Sequence, residues 1–308
     1  MITIQSVHNK SLKKRKNNNR HWTIFLLLIP GLLWYIIFKY IPMIGSLTAF
    51  TNFGRAAEID FIGLDNFTRA FRTPGFWRAF KNTLIISFMS IGLSFPIPIS
   101  LAILINEAGS KRFKKSVQFF SYLPHFFSWV VVGSIFTMLL SPNNGIINNI
   151  LLTLGVEDPI FFMASNKWYR YVLVLMQVWK NTGYSAVIYI AALAGIEQQL
   201  YEAAKIDGAS YFKQAIYITL PALRNTIMTV LLLTVARILL VFEPILITYN
   251  PAIYETADVL QTYIYRVGLV SGDMGFAAAV GLFTSVTSGL LVVGCNQFNK
   301  KVFNEKII

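Results

Sequence analysis

Apolar residues in this chain come in long unbroken runs, not at the three- and four-residue spacing of a half-buried soluble helix. Six runs stand out: 22–42, 83–106, 117–140, 171–195, 226–247 and 276–293. Each is close to the ~20 residues that an α-helix needs to cross the hydrocarbon core of a bilayer. The pattern therefore predicts an all-α, polytopic membrane protein with six transmembrane helices. Pro96 and Pro98 interrupt the second run and predict a kink there, while Pro124 lies near the start of the third. Polar, turn-rich stretches at 51–82, 107–116, 141–170 and 248–274 read as connections, with room for a short interfacial helix in 141–170. A basic tail at 1–21, a six-helix region at 22–298 and a second basic tail at 299–308 complete the organisation. The first run is long and lacks a small-x-small cleavage site, so it reads as a retained span.

One polar stretch between spans is patterned differently. Residues 197–206 contain good helix formers, and Gly208 is a natural stop. Ser210 is placed to cap a second short helix reaching Tyr217, and Pro221 suits the entry to the fifth span. The prediction is a compact knob of two short helices broken at Gly208. Leu200, Ala203, Ala204, Phe212 and Ile216 give it an apolar face for a partner's groove.

Composition agrees with a membrane location. The 308 residues are 55% hydrophobic and only 13% charged, about half the charge of a soluble domain. The net charge of +13 would suit nucleic acid, but the basic residues cluster beside apolar runs, where they set topology and meet anionic lipid. With both ends inside, sixteen Lys and Arg fall on the inner side and eight on the outer, which favours cytoplasmic termini. Five basic residues in 51–82 pull the other way, but that connection is long. The single cysteine, Cys295, excludes an internal disulfide, and three scattered histidines offer no metal site. No P-loop, His-Glu-x-x-His or Gly-x-Ser-x-Gly segment is present, and no catalytic residue is assigned.

The knob carries a resemblance. Glu202-Ala203-Ala204, then Gly208, Ile218 and Leu220-Pro221 resemble at full spacing the EAA loop of ABC importer permeases. Phe61-Ile62-Gly63-Leu64-Asp65-Asn66-Phe67 is similar to the segment that follows the first span in that family. Tyr249-Asn250-Pro251, 254–259 and 262–269 look like the outer loop of its polysaccharide and complex-oligosaccharide subgroup. The resemblance covers about 22–300 and implies the type I importer permease fold in a bacterial cell membrane. It implies that Glu202, Ala203, Ala204, Asp207, Gly208, Ile218, Leu220 and Pro221 couple the chain to an ATPase. Glu202 and Asp207 would make polar contacts there, and the two alanines would permit close approach. The implied partners are a second, similar permease chain, an ATPase dimer, an extracellular solute-binding lipoprotein and an oligosaccharide. ATP and Mg would be bound by the ATPase, with no cofactor in this chain and no nucleic acid.

Polar residues inside spans are candidates for a substrate pathway. Gln177, Asn181, Tyr184 and Ile188 share one helical face, with Lys180 beside it. That face suits either sugar hydroxyls or hydrogen bonds between helices. Arg237 and Glu243, six residues apart in the fifth run, cannot share a face, and each needs its own partner or a cavity. The aromatic cluster Phe119–Trp129 fits sugar stacking or, more simply, packing against lipid and helices. The competing reading is a stand-alone secondary transporter or channel that uses Lys180, Arg237 and Glu243 for ion coupling.

Overall fold

The computed structural model describes residues 18–303. Of the expected tails, 1–17 and 304–308 lie outside the described residues, while 18–21 and 299–303 are helical. The chain divides into two compact units, 1–47 and 48–308.

In the first unit, α1 (Asn18–Tyr35) runs through a π-helical turn, Ile36–Tyr40, into α2 (Ile41–Ile44). Its apolar side chains from Phe25 to Ile44 remain uncovered, as a lipid-facing span requires.

The second unit begins within a 3-10 turn, Gly45–Phe50. The stretch 51–82, expected as a loop, contains α3 (Asp65–Arg72) and the first turns of α4 (Pro74–Ser94). Pro74 opens α4 because its missing N–H needs no partner in a first turn. The buried Asn66 pins this region, its amide donating to the carbonyls of Ala49 (2.9 Å) and Thr51 (2.8 Å). The expected kink in the second span is present: α4 ends at Ser94, and α5 (Pro96–Glu107) restarts after Phe95.

The third span differs from the expectation of one helix over 117–140. The basic stretch thought to be a loop forms α6 (Lys111–Tyr122), followed by a 3-10 turn, Leu123–Phe126. The chain then bends by 102° into α7 (Trp129–Leu139). Pro124 cannot donate a hydrogen bond, and the Ser128 hydroxyl caps the new helix by accepting from Val131 N. After α8 (Ile146–Thr153), the long α9 (Tyr169–Leu193) appears close to its expected position.

The knob is only half as expected. α10 (Gln198–Ile206) is a separate short helix. The second helix is not separate: α11 (Tyr211–Gln214) continues through a π-helical turn, Ala215–Thr219, into α12 (Leu220–Ala236). Pro221 therefore lies inside a continuous helical path. The wider turn, with Leu220 N reaching back to Ala215 O, loosens the ladder where the proline ring would otherwise press on the preceding turn.

The fifth span stops at Ala236, short of the expected 247. Irregular backbone at 237–242 precedes α13 (Glu243–Thr248), so Arg237 and Glu243 flank a break rather than sharing a helix. The expected loop 248–274 holds a 3-10 turn (Pro251–Ile253), α14 (Tyr254–Ala257), α15 (Leu260–Ile264) and a π-helical turn (Tyr265–Val270). α16 (Met274–Phe303) then extends well beyond the expected end at 293.

Among the described residues, four helical segments are long and apolar enough to cross a membrane, and the bent pair α6–α7 adds a fifth candidate. Six spans are compatible with this set once α9, 25 residues long, is counted. α9 is the hub of the second unit. Tyr189, Ala186 and Leu193 pack with Ile99 and Ala102 of α5 and Leu223 of α12. Its other end packs Tyr169 and Leu173 on Ile86 of α4 and Ile245 of α13.

Candidate functional site

Two regions of the second unit carry the expected chemistry. In the knob, the carbonyls at the end of α10 are closed by a two-bond cap. Ala209 N donates to Ala204 O (2.8 Å) and Gly208 N to Lys205 O (3.1 Å). Gly208 makes this possible with φ +74, the left-handed conformation that a side chain resists. Glu202, Ala203 and Asp207 are exposed, with Leu200, Ile206, Phe212 and Tyr217 forming an apolar surface around them. Ala204 and Ile218 are half-buried, and Leu220 and Pro221 lie on an open face of the helical path.

The knob is anchored by residues that sequence reasoning passed over. The buried Gln214 amide donates to Ala209 O (2.8 Å), and the Tyr201 and Thr219 hydroxyls are 3.0 Å apart. Only their positions flanking Gly208 hinted at this role.

The second region is a cavity of about 460 Å³ between α4, α9 and α12. Ser87, Ser90, Gln177, Thr234 and Arg237 give it polar walls, and Ile188 lies on the same cavity. Gln177 and Arg237, predicted separately, thus line one cavity. Asn181 and Tyr184 do not line it. Asn181 Oδ1 lies 3.3 Å from His125 Nδ1, and Tyr184 stacks on the His125 ring with centroids 4.0 Å apart. Both contacts join α9 to the 3-10 turn that follows α6.

Lys180 has a structural task. It is buried, and its ammonium donates to the carbonyls of His125 (2.7 Å) and Phe127, satisfying backbone freed by the α6–α7 bend. Glu243 is exposed at the start of α13, where a carboxylate suits the helix dipole. Among the described residues, Arg237 and Glu243 form no ion pair.

The 249–269 segment, noted in the sequence only as an outer-loop pattern, is built around the fully buried Asp258. Its carboxylate takes Arg266 at 2.7 Å and Arg78 at 3.8 Å, with Tyr249 and Thr262 donating hydroxyls at 3.1 and 3.0 Å. Burial, and then the adjoining carboxylate, push the Tyr249 phenol well above its usual range. Asn82 donates to the carbonyls of Glu255 and Asp258 and accepts from Arg170, joining this segment to α4 and α9.

The described arrangement holds a long-helix scaffold, a capped external knob and a polar cavity. The sequence pattern of the family described as "Binding-protein-dependent transport system inner membrane component" matches residues 94–302, two thirds of the chain and all of both regions' helical framework from α5 onward. The chain belongs to this family. It is a multi-pass membrane permease, a transport component rather than an enzyme. The chain is similar to the polygalacturonan/rhamnogalacturonan transport system permease protein YteP of Bacillus subtilis (strain 168). The two are 38% identical over 92% of this chain and 89% of the relative. It is also similar to a chain of a bacterial ABC transporter involved in the import of the acidic polysaccharide alginate. There the TM-score is 0.86 and identity 39%, covering 94% of this permease and 98% of that chain. A second structure, the alginate ABC transporter in complex with an alginate pentasaccharide-bound periplasmic protein, matches with TM-score 0.87 and 38% identity. The match covers 95% of this permease and 99% of that chain. These matches establish the ABC importer permease fold for the chain.

Proposed function

We propose that this permease is one of two unlike membrane chains in an ATP-driven importer of complex oligosaccharides, and that residues 197–221 dock it to the ATPase. The carrying observation is α10 closed at Gly208, with Leu200, Glu202, Ala203, Ile206 and Asp207 exposed while Tyr201 holds its other side to Thr219. A short rigid helix of this kind fits a groove and transmits a push without melting. ATP and Mg bind in the partner ATPase pair, whose closure favours one arrangement of the permeases over the other. The oligosaccharide class is supported by the printed substrates of YteP and of the alginate transporter, and the delivery protein by the complex of the latter.

Both termini lie in the cytoplasm in this reading. The count of sixteen inner against eight outer Lys and Arg supports it. Of the eight basic residues assigned outside, Arg55 pairs with Asp65, Arg69 with Asp273, and Arg78 and Arg266 share the one carboxylate of Asp258. The stand-alone transporter reading has less to rest on, since Lys180 is committed to backbone carbonyls.

A pull-down of the tagged chain from native membranes in mild detergent tests the proposal. Recovery of an ATPase, a second permease chain and a binding lipoprotein is the expected result. Recovery of this chain alone, active in liposomes with only an ion gradient, overturns it.

A further inference from the structure

The cavity between α4, α9 and α12 is unbalanced in its polar groups. Ser87 Oγ donates to Ile238 O, and Ser90 Oγ donates to Gln177 Oε1 at 3.0 Å. Those bonds use the serine protons and fix the Gln177 amide, whose Nε2 is buried without a hydrogen-bond partner. Arg237 faces the same space, and its side chain has no hydrogen bond or ion pair among the described residues. The cavity wall therefore carries two unused donors, the exposed Arg237 guanidinium and the buried Gln177 Nε2, and its acceptors are neutral hydroxyl oxygens with no carboxylate among them. A guanidinium stays charged in a protein, so within a membrane protein it must meet water or an anion.

We propose that this cavity reads the carboxylate of an acidic oligosaccharide, a uronate, with Arg237 as its charged partner and Gln177 Nε2 as a neutral donor. The assignment rests on the oligosaccharide-importer reading above and narrows it. Serine hydroxyls and an amide alone suffice for neutral sugar hydroxyls. The arginine adds a planar fork that fits a carboxylate with two parallel bonds. The position also argues for the side chain itself. Arg237 caps the C-terminal end of α12, where the helix dipole is negative, so an anion is drawn there only through the guanidinium. The cavity volume of about 460 Å³ falls in the range of small-molecule sites. Alginate is an acidic polysaccharide, and polygalacturonan is a polymer of a uronic acid, so the two similar transporters carry the chemistry this cavity fits.

The test uses the complete transporter in detergent without its binding protein, so that the delivery protein's own preference does not enter. Saturation-transfer NMR is recorded with trigalacturonate and with its methyl ester, and uptake of both is then measured in liposomes with the binding protein restored. The expected result is a signal for the acid and about tenfold less for the ester. Arg237→Gln should lower the acid signal and its uptake by about tenfold, with Arg237→Lys between the two. Co-purification of the ATPase checks that each variant assembles; if Arg237→Gln does not, the acid–ester contrast and Arg237→Lys decide. Equal binding of acid and ester, or full acid binding by Arg237→Gln, overturns the carboxylate assignment and leaves the sugar importer standing. If the wild-type complex hydrolyses ATP but neither binds nor imports either sugar, the sugar reading falls and this assignment falls with it.

Discussion

Substitution of Gly208 separates a docking element from an ordinary surface turn. An added Cβ at Gly208 meets nothing within 4 Å, so any cost comes from the backbone alone. An L-residue held at φ +74 costs about 1–2 kcal/mol, less for Asn and more for a β-branched residue. Escaping that strain means giving up the bonds from Ala209 N and Gly208 N, each worth about 1 kcal/mol. α10 has nine residues, too few to stand as a helix in water without its cap and its anchors through Gln214 and Tyr201. Gly208→Val should therefore shift the knob toward an open form by about 2 kcal/mol or more, roughly 30-fold in population. Because the knob is exposed, the rest of the chain should fold and insert as before. The expected order of ATPase retention and of uptake is Gly, then Asn, then Ala, then Val. Hydrogen exchange at 198–209 should accelerate in the same order, with protection in α9 unchanged. Wild-type uptake by Gly208→Val, or an Asn variant as impaired as Val, would refute the reasoning.

Gly183 lets α9 lie directly against the Ser121 backbone, and a Cβ there collides with that carbonyl group. Gly183→Ala should cost about 1–3 kcal/mol or more and lower the melting temperature in detergent, and an unchanged melting temperature rules out this packing. Asp258→Asn leaves Arg266 and Arg78 facing a buried neutral amide, and because both arginines are partly exposed the cost should be about 3 kcal/mol, read by chemical denaturation. Lys180→Met strands the carbonyls of His125 and Phe127 and should cost about 1–3 kcal/mol in stability. Collapsing ion gradients at constant ATP should leave wild-type uptake intact, and loss of uptake would return Lys180 to ion coupling.

The positions of the spans were legible because long apolar runs have few other fates, and the break at Phe95 was legible because Pro96 and Pro98 mark it. The other breaks were set by distant partners. Pro124 signals a disturbance, but a 102° bend also needs Gly183 to admit Ser121 and Lys180 to satisfy the carbonyls, and both lie more than fifty residues away. The gap at 237–242 has no Gly or Pro before Pro244. It survives because Ser87 of α4 donates to Ile238 O. Pro221 stands in the first turn of α12 as local rules place it, but the π-helical turn that joins α12 to α11 without a break was not legible. In the knob, the stop at Gly208 and the cap at Ser210 were readable from type and spacing. Gln214 and Thr219 were not, because an amide or hydroxyl in a helix gives no sign of the carbonyl or hydroxyl it will meet.

The same distinction explains the basic residues that argued against the proposed orientation. A charge count treats every Lys and Arg beside a span as free to interact with lipid and the insertion machinery. Within the folded chain Arg69 pairs with Asp273, Arg78 and Arg266 share Asp258, and Arg170 is turned inward onto Asn82 and the Thr256 carbonyl. By contrast, Lys111, Arg112 and Lys115 of α6 form no ion pair among the described residues and lie on the same stretch as the exposed Phe113, Phe119 and Phe120. Such a helix, basic in its first turn and exposing phenylalanines further along, is suited to the headgroup region of an anionic leaflet. The residue count, sixteen inner Lys and Arg against eight outer, is thus what bears on orientation, and it agrees with the proposed cytoplasmic placement of the knob.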